Sequence, residues 1–178
     1  MSRSRAGLAR RGVFFRRQNG ASVKISPSAL EMLLACRQMD ADACEAGGIL
    51  IGRELDSGDV IIDGVTTPQP GDVRRPMFFH RSQAAHQAAS DRAYEESNGR
   101  RCYVGEWHTH AEPSPTPSAM DMADWQRRLR EDEGEPRVFF AIIGQEEIAL
   151  WDGNRITYEI VRLNPRELLW TTKTVNTS

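Results

Sequence analysis

Cysteine is scarce in this chain. Cys36, Cys44 and Cys102 are odd in number and lack CxxC spacing, which argues against a disulfide framework and a cysteine-rich zinc site and fits a reducing cytoplasm. Long apolar runs are missing too. No window approaches the roughly 18 residues that a membrane helix needs, and the N-terminus has no apolar stretch of the kind a secretory signal requires. Neither membrane insertion nor export is expected. An excess of one charge is also absent, the formal net charge being -2, so there is no general case for nucleic acid as partner, whose phosphates demand clustered Lys and Arg. The exception is local: Arg3, Arg5, Arg10, Arg11, Arg16 and Arg17 fall in a stretch without a single acid. That stretch reads as a solvated, flexible basic tail over residues 1–20.

What is present suits one globular domain. A chain of 178 residues with 39% hydrophobic and 27% charged residues can bury a core of its own. The expected domain covers residues 21–165, with a C-terminal tail over 166–178. Val23-Lys24-Ile25 alternates like a strand, and Ser26-Pro27 opens a helix with Leu30, Leu33 and Leu34 on one face, to about Met39. Gly47 to Gly52 and Val60-Ile61-Ile62, separated by a Ser57-Gly58 turn, predict a hairpin. Residues 66–76, with Pro68, Pro70, Gly71 and Pro76, read as a loop. An alanine-rich helix is expected over 82–97, stopped by Asn98-Gly99. A strand follows at 102–107, a helix at about 118–130, and closing strands at 138–143, 148–151 and 156–163. The order is α+β with much antiparallel sheet, flanked by helices.

The chemistry concentrates in Gly105-Glu106-Trp107-His108-Thr109-His110, seven further residues, and Ser118-Ala119-Met120-Asp121. A strand sends alternate side chains to one face, so His108 and His110 can meet at one ion. The proline-rich stretch 113–117 breaks the strand and turns the chain back. Thr116-Pro117 suits an N-cap with proline in the first helical position, which places Ser118 and Asp121 on one face of the opening turns. Two imidazoles and one carboxylate suit zinc, and three protein ligands leave the fourth position to water, as in catalytic sites. Each piece has a plain alternative: histidine pairs occur on ordinary strands, and Ser-x-x-Asp is close to a capping box. Together, with half of the four histidines inside three residues, they favour a metal.

This spacing resembles the JAMM motif of MPN-type metalloproteases at every defining position. Upstream, Glu45-Ala46-Gly47-Gly48-Ile49-Leu50-Ile51-Gly52 is similar to the glutamate and glycine-rich strand of that family. The resemblance spans roughly residues 21–163 and implies the cytidine-deaminase-like MPN fold, of the smaller prokaryotic branch. Zinc deaminases share a glutamate beside a histidine, but their Pro-Cys-x-x-Cys half is missing here. The resemblance implies one Zn2+ per chain held by His108, His110 and Asp121, with Glu45 as general base and Ser118 as donor to the oxyanion. Gly47-Gly48 beside Glu45 would let backbone approach a ligand.

Outside that set, Glu106 reads as a supporting or solvated carboxylate, His80 and His86 as surface or packed residues, and Trp107 and Trp125 as core. By the same resemblance, the function is that of an isopeptidase acting on a ubiquitin-like modifier or its conjugate with a target protein. The prokaryotic branch includes deconjugating proteases of antiphage operons such as CBASS, and residues 67–72 with Phe78-Phe79-His80-Arg81 are similar to it. Two alternatives share the fold: release of an amino acid from a sulfur-carrier protein, and a metal-free MPN scaffold.

Overall fold

The computed structural model describes residues 12–166. Eleven strands and three helices are found among them: β1 (Val13–Arg16), β2 (Ser22–Ile25), α1 (Pro27–Ala35), β3 (Gly47–Glu54), β4 (Val60–Val65), β5 (Val73–Arg75), β6 (Phe78–His80), α2 (Gln83–Glu96), β7 (Cys102–Thr109), α3 (Ala119–Glu131), β8 (Arg137–Ile143), β9 (Ile148–Asn154), β10 (Ile160–Arg162) and β11 (Asn164–Pro165). Nine strands make one sheet in the order β10-β9-β8-β7-β3-β4-β2-β1-β11, and β5 and β6 form a separate hairpin. The pairings β2–β4 and β7–β8 are parallel and the rest antiparallel. This is the expected α+β architecture.

Period-two alternation feeds two cores from the same strands. From β8, Phe139, Ala141 and Ile143 join Leu30 and Leu33 of α1 on one face. Val138, Phe140 and Ile142 meet Trp125 and Leu129 of α3 on the other, where Ile49 and Ile51 also pack on Ala93 of α2. Helices therefore cover both faces of the central strands, which explains why β8 and β9 are buried almost throughout. Truncating Phe139, which is 2% exposed, to alanine would cost roughly 3–5 kcal/mol. No helix among the described residues is long and apolar enough to cross a membrane.

Four sequence expectations need correction. The basic tail is not a tail over its whole expected length, because Val13–Arg16 pairs with β2. Val13 and Phe15 point into the core, an alternation masked in the sequence by the surrounding arginines. Arg17 is itself buried, paired with Asp152 at 3.1 Å and donating to the Gly58 carbonyl. Arg3, Arg5, Arg10 and Arg11 lie outside the described residues, as does the expected C-terminal tail beyond Arg166. Second, α1 ends at Ala35 and not near Met39. Beyond it Gln38 turns inward, donating to the carbonyls of Ala43 and Pro76. Third, the loop read over 66–76 contains β5. Fourth, the last expected strand begins at Ile160, because a turn with Tyr158 at φ 59° occupies its first half.

Candidate metal and catalytic site

Strands β3 and β7 carry the site at the middle of the sheet, with Gly47 opposite His108 and Gly48 opposite Trp107. Trp107 and Thr109 point to the buried face, which leaves His108 for the other side. His110 lies just past the strand, yet its N–H donates to the Ile143 carbonyl at 3.1 Å and keeps it in line with the sheet. The two imidazole rings meet at a centroid distance of 4.8 Å. The proline-rich loop then docks on the β8–β9 turn, where the N–H groups of Gln145 and Glu146 donate to the carbonyls of Glu112 and Pro113. Gly144 permits this, since a Cβ there would stand 2.5 Å from Pro115 and 2.7 Å from the Glu112 oxygen.

The loop delivers α3 with Ser118 itself as N-cap, so the Thr116-Pro117 cap expected from the sequence is displaced by two residues. The Asp121 N–H donates to Ser118 Oγ at 3.1 Å, and the Ser118 N–H donates to Asp121 Oδ2 at 2.7 Å, a complete capping box. The capping alternative is therefore real for this pair, and it coexists with a second task for Asp121. Asp121 Oδ1 lies 3.3 Å from His108 Nε2, Oδ2 lies 3.3 Å from His110 Nε2, and the two Nε2 atoms are 3.0 Å apart.

These separations fit an ion. A tetrahedral centre with bonds of about 2.0–2.1 Å has ligand–ligand edges of about 3.3 Å, close to what the three side chains already present. Their chemistry fits too, since two imidazole nitrogens and a carboxylate are the donor set that zinc takes in catalytic sites. Burial pushes the Asp121 carboxyl up, but hydrogen bonds with His108, His110 and Ser118 outweigh it and hold the group well below the usual carboxylate range. Burial lowers His110, and Asp121 with Glu45 more than reverses this.

Glu45 lies in the same cleft. It is 7% exposed, and burial pushes its carboxyl up to about 7, against a partial offset from His110. Its neighbour Ala46 is fastened to the strand between the two histidines: the Ala46 N–H donates to Thr109 Oγ1, and the Thr109 N–H to the Ala46 carbonyl. The Phe79 ring packs against Gly47, 2.4 Å from where a Cβ would stand, while Gly48 lines the cleft. The cleft has a volume of about 690 Å3, and Glu45, His108, His110, Ser118 and Asp121 all line it. All five residues singled out in the sequence thus meet in one place.

The residues set aside also have places. Trp107 and Trp125 are core residues. Glu106 is held on the cleft wall by Arg81 and, at 2.9 Å, by Arg128. His86 is packed, with Asp72 on one nitrogen and Thr66 on the other. Asp72, Arg74 and Thr109 were not foreseen. Only Thr109 carried a signal, its place between two expected ligands on a strand.

Residues 27–155 match the family described as prokaryotic homologs of the JAB domain. The chain belongs to this family. The JAB assignment extends to relatives: the chain is 33% identical over 141 residues to a CD-NTase/cGAS isopeptidase of Vibrio cholerae, covering 79% of this chain and 86% of that protein. A protein of the same description from Escherichia coli is 32% identical over 144 residues, covering 81% and 88%. The solution structure of a Desulfitobacterium hafniense protein shares the fold, with a TM-score of 0.50 at 22% identity over 79% of this chain and 86% of that one. Family and relatives make this JAB protein a hydrolase.

Proposed function

We propose that this JAB-family hydrolase is a zinc-dependent isopeptidase that removes or trims a ubiquitin-like modifier, with one Zn2+ held by His108, His110 and Asp121. The observation that carries the reading is the convergence of two Nε2 atoms and one carboxylate within 3.0–3.3 Å in a cleft that also holds a buried glutamate. Bound zinc would supply Lewis acidity, polarising the scissile carbonyl and acidifying a water. Glu45 accepts the proton of the attacking water and returns it to the departing lysine amine, work suited to a carboxyl whose pKa lies near the working pH. The Ser118 hydroxyl, fixed at the helix start, donates to the oxyanion of the tetrahedral species.

The relatives are named for a CD-NTase or cGAS, and by extension the conjugate cut here carries a nucleotidyltransferase of that kind. That reaction would serve antiphage signalling, a reading that the resemblance to the deconjugating branch supports. To test this, zinc-loaded protein is incubated with a ubiquitin-like protein or CD-NTase bearing a peptide or lysine extension after its C-terminal residue, and the products are read by mass spectrometry. Cleavage at the tail's last residue is expected, blocked when a bulky side chain replaces a terminal glycine. Absence of cutting in every such substrate, or equal cutting of glycine and bulky tails, would overturn the reading.

A further inference from the structure

Glu45 does its proposed work only if its carboxylate stands still. Its C-terminal neighbour is locked, since Ala46 exchanges two hydrogen bonds with Thr109. On the N-terminal side the chain runs through turns and exposed residues from Asp40 to Cys44, and nothing regular holds it. The backbone groups of Glu45 itself go elsewhere, to the β5–β6 hairpin. Its N–H donates to the Arg75 carbonyl at 2.9 Å, and its carbonyl accepts from Arg74 Nε at 2.7 Å. A second guanidinium nitrogen of Arg74 donates to the Cys44 carbonyl at 3.4 Å. One guanidinium thereby ties down two successive peptide groups.

The hairpin that carries Arg74 is anchored in turn. The Asp72 carboxylate, fully buried, accepts from the N–H groups of Gln69 at 2.7 Å and Ser82 at 2.8 Å, closing the segment on itself. It also takes His86 Nε2 at 3.1 Å. A carboxylate can only accept, so Nε2 carries a hydrogen, and Nδ1 shares a second hydrogen bond with the Thr66 hydroxyl. Thr66 Oγ1 meanwhile accepts from the Ile49 N–H at 2.9 Å, and its carbonyl accepts from Trp107 Nε1 at 2.9 Å. The line of bonds runs from the strand that bears His108, through Thr66, His86 and Asp72, to the hairpin and back to Glu45.

Arg74 does not line the cleft, although Pro76 and Met77 just beyond it do. It reaches the cleft through what it holds, the Glu45 carbonyl, and through its strand partner Phe79 on the cleft wall. We propose that Arg74 is a positioning residue for Glu45, fixing the peptide from which the carboxylate projects. The proposal rests on the reading of Glu45 as general base. Loss of the guanidinium leaves the Glu45 and Cys44 carbonyls without their donor and the Glu45 backbone held on that side by its N–H bond to Arg75 alone, which loosens the carboxylate without touching the metal ligands.

The test uses the full-length, zinc-loaded protein and a ubiquitin-like protein carrying a peptide extension after its C-terminal glycine. Arg74→Ala and Arg74→Lys are made alone and together with Glu45→Gln, and kcat, KM and zinc content are measured. Arg74→Ala is expected to lower kcat by about 10- to 100-fold, the scale of a misplaced catalytic group, with KM little changed and zinc retained. Arg74→Lys, which keeps a charge and a donor, should fall between, and it carries the comparison if the alanine variant folds poorly. In the Glu45→Gln background neither change should lower the residual rate further. A rise in KM at constant kcat, or the same loss in both backgrounds, overturns the proposal. Near-normal turnover of Glu45→Gln alone would instead remove the base assignment itself, so the two failures are told apart.

Discussion

Two clusters of histidine and aspartate occur in this fold, and they are built to opposite rules. Around His86 every polar atom is answered: Asp72 takes one ring nitrogen, Thr66 the other, and the His86 and Asp72 side chains are fully buried. Around His108 and His110 two rings and a carboxylate crowd together in an open cleft, and His110 Nδ1 is buried without a partner among the described residues. A closed cluster stabilises a chain trace. An unfinished one, whose nitrogen and oxygen atoms converge within 3.0–3.3 Å of one another, has the ligand set and the spacing that suit a metal ion.

The contrast breaks hardest at the ligands. His108→Ala or Asp121→Ala should lose zinc and turnover together, activity falling by about 10⁴-fold or more if the ion carries the acid–base chemistry of the site, checked by elemental analysis beside a cleavage assay. His86→Ala should leave the zinc in place. Next in size, Glu45→Gln keeps the shape of the side chain and removes the proton acceptor, so turnover should drop by roughly 10²–10⁴ with metal content unchanged. Ser118→Ala should cost on the order of 10²–10³ in kcat, with about 1 kcal/mol of stability lost along with the helix cap. If Glu45→Gln came out metal-free, the carboxylate would be a ligand and Glu106 the next candidate for base.

The closed cluster should fail in stability instead. His86→Ala leaves the Asp72 charge buried with one partner fewer and should destabilise by roughly 3 kcal/mol in denaturant titrations. The smallest effect is electrostatic. The Glu45 carboxyl lies at about 7 in the fold against an ordinary 4.5, so between these values the unfolded chain ionises while the folded one keeps its proton. This group therefore lowers stability progressively as pH rises from 4.5 to about 7, and by a constant amount above that. In chelator-treated protein at pH 8, Glu45→Gln should be more stable than the parent by roughly 2 kcal/mol, and the difference should vanish near pH 4. A parent as stable as the variant at pH 8 would show that the carboxyl is not desolvated.

Much of this was legible in the chain because it rests on local rules. The pairing of His108 with His110 follows from strand alternation, and Asp121 follows from a helix start after prolines. The cap itself moved from Thr116 to Ser118, since a capping box with Asp121 outcompetes a threonine followed by proline. What stayed hidden depends on contacts between distant segments. Asp72 is an ordinary loop aspartate until the fold lays His86 beside it. Arg74 looks like one more surface charge until β5 runs along Glu45. β1 was obscured by composition, its two inward apolar residues sitting beside Arg16, which the fold exposes, and Arg17, which it pairs with Asp152.

The bond between Thr109 and Ala46 has a consequence for how the molecule breathes. β3 and β7 lie at the centre of the large sheet, where amide hydrogens should exchange late with solvent, whereas a two-stranded hairpin such as β5–β6 should open through smaller and more frequent excursions. Glu45 sits on the seam between the two regimes. Its backbone is bonded to the sheet through Ala46 and to the hairpin through Arg74 and Arg75. With Glu45 as the proposed base, each opening of the hairpin would leave the histidines in place and take one of the glutamate's two moorings, and the fraction of time the hairpin spends closed would set a ceiling on the fraction of molecules competent to turn over.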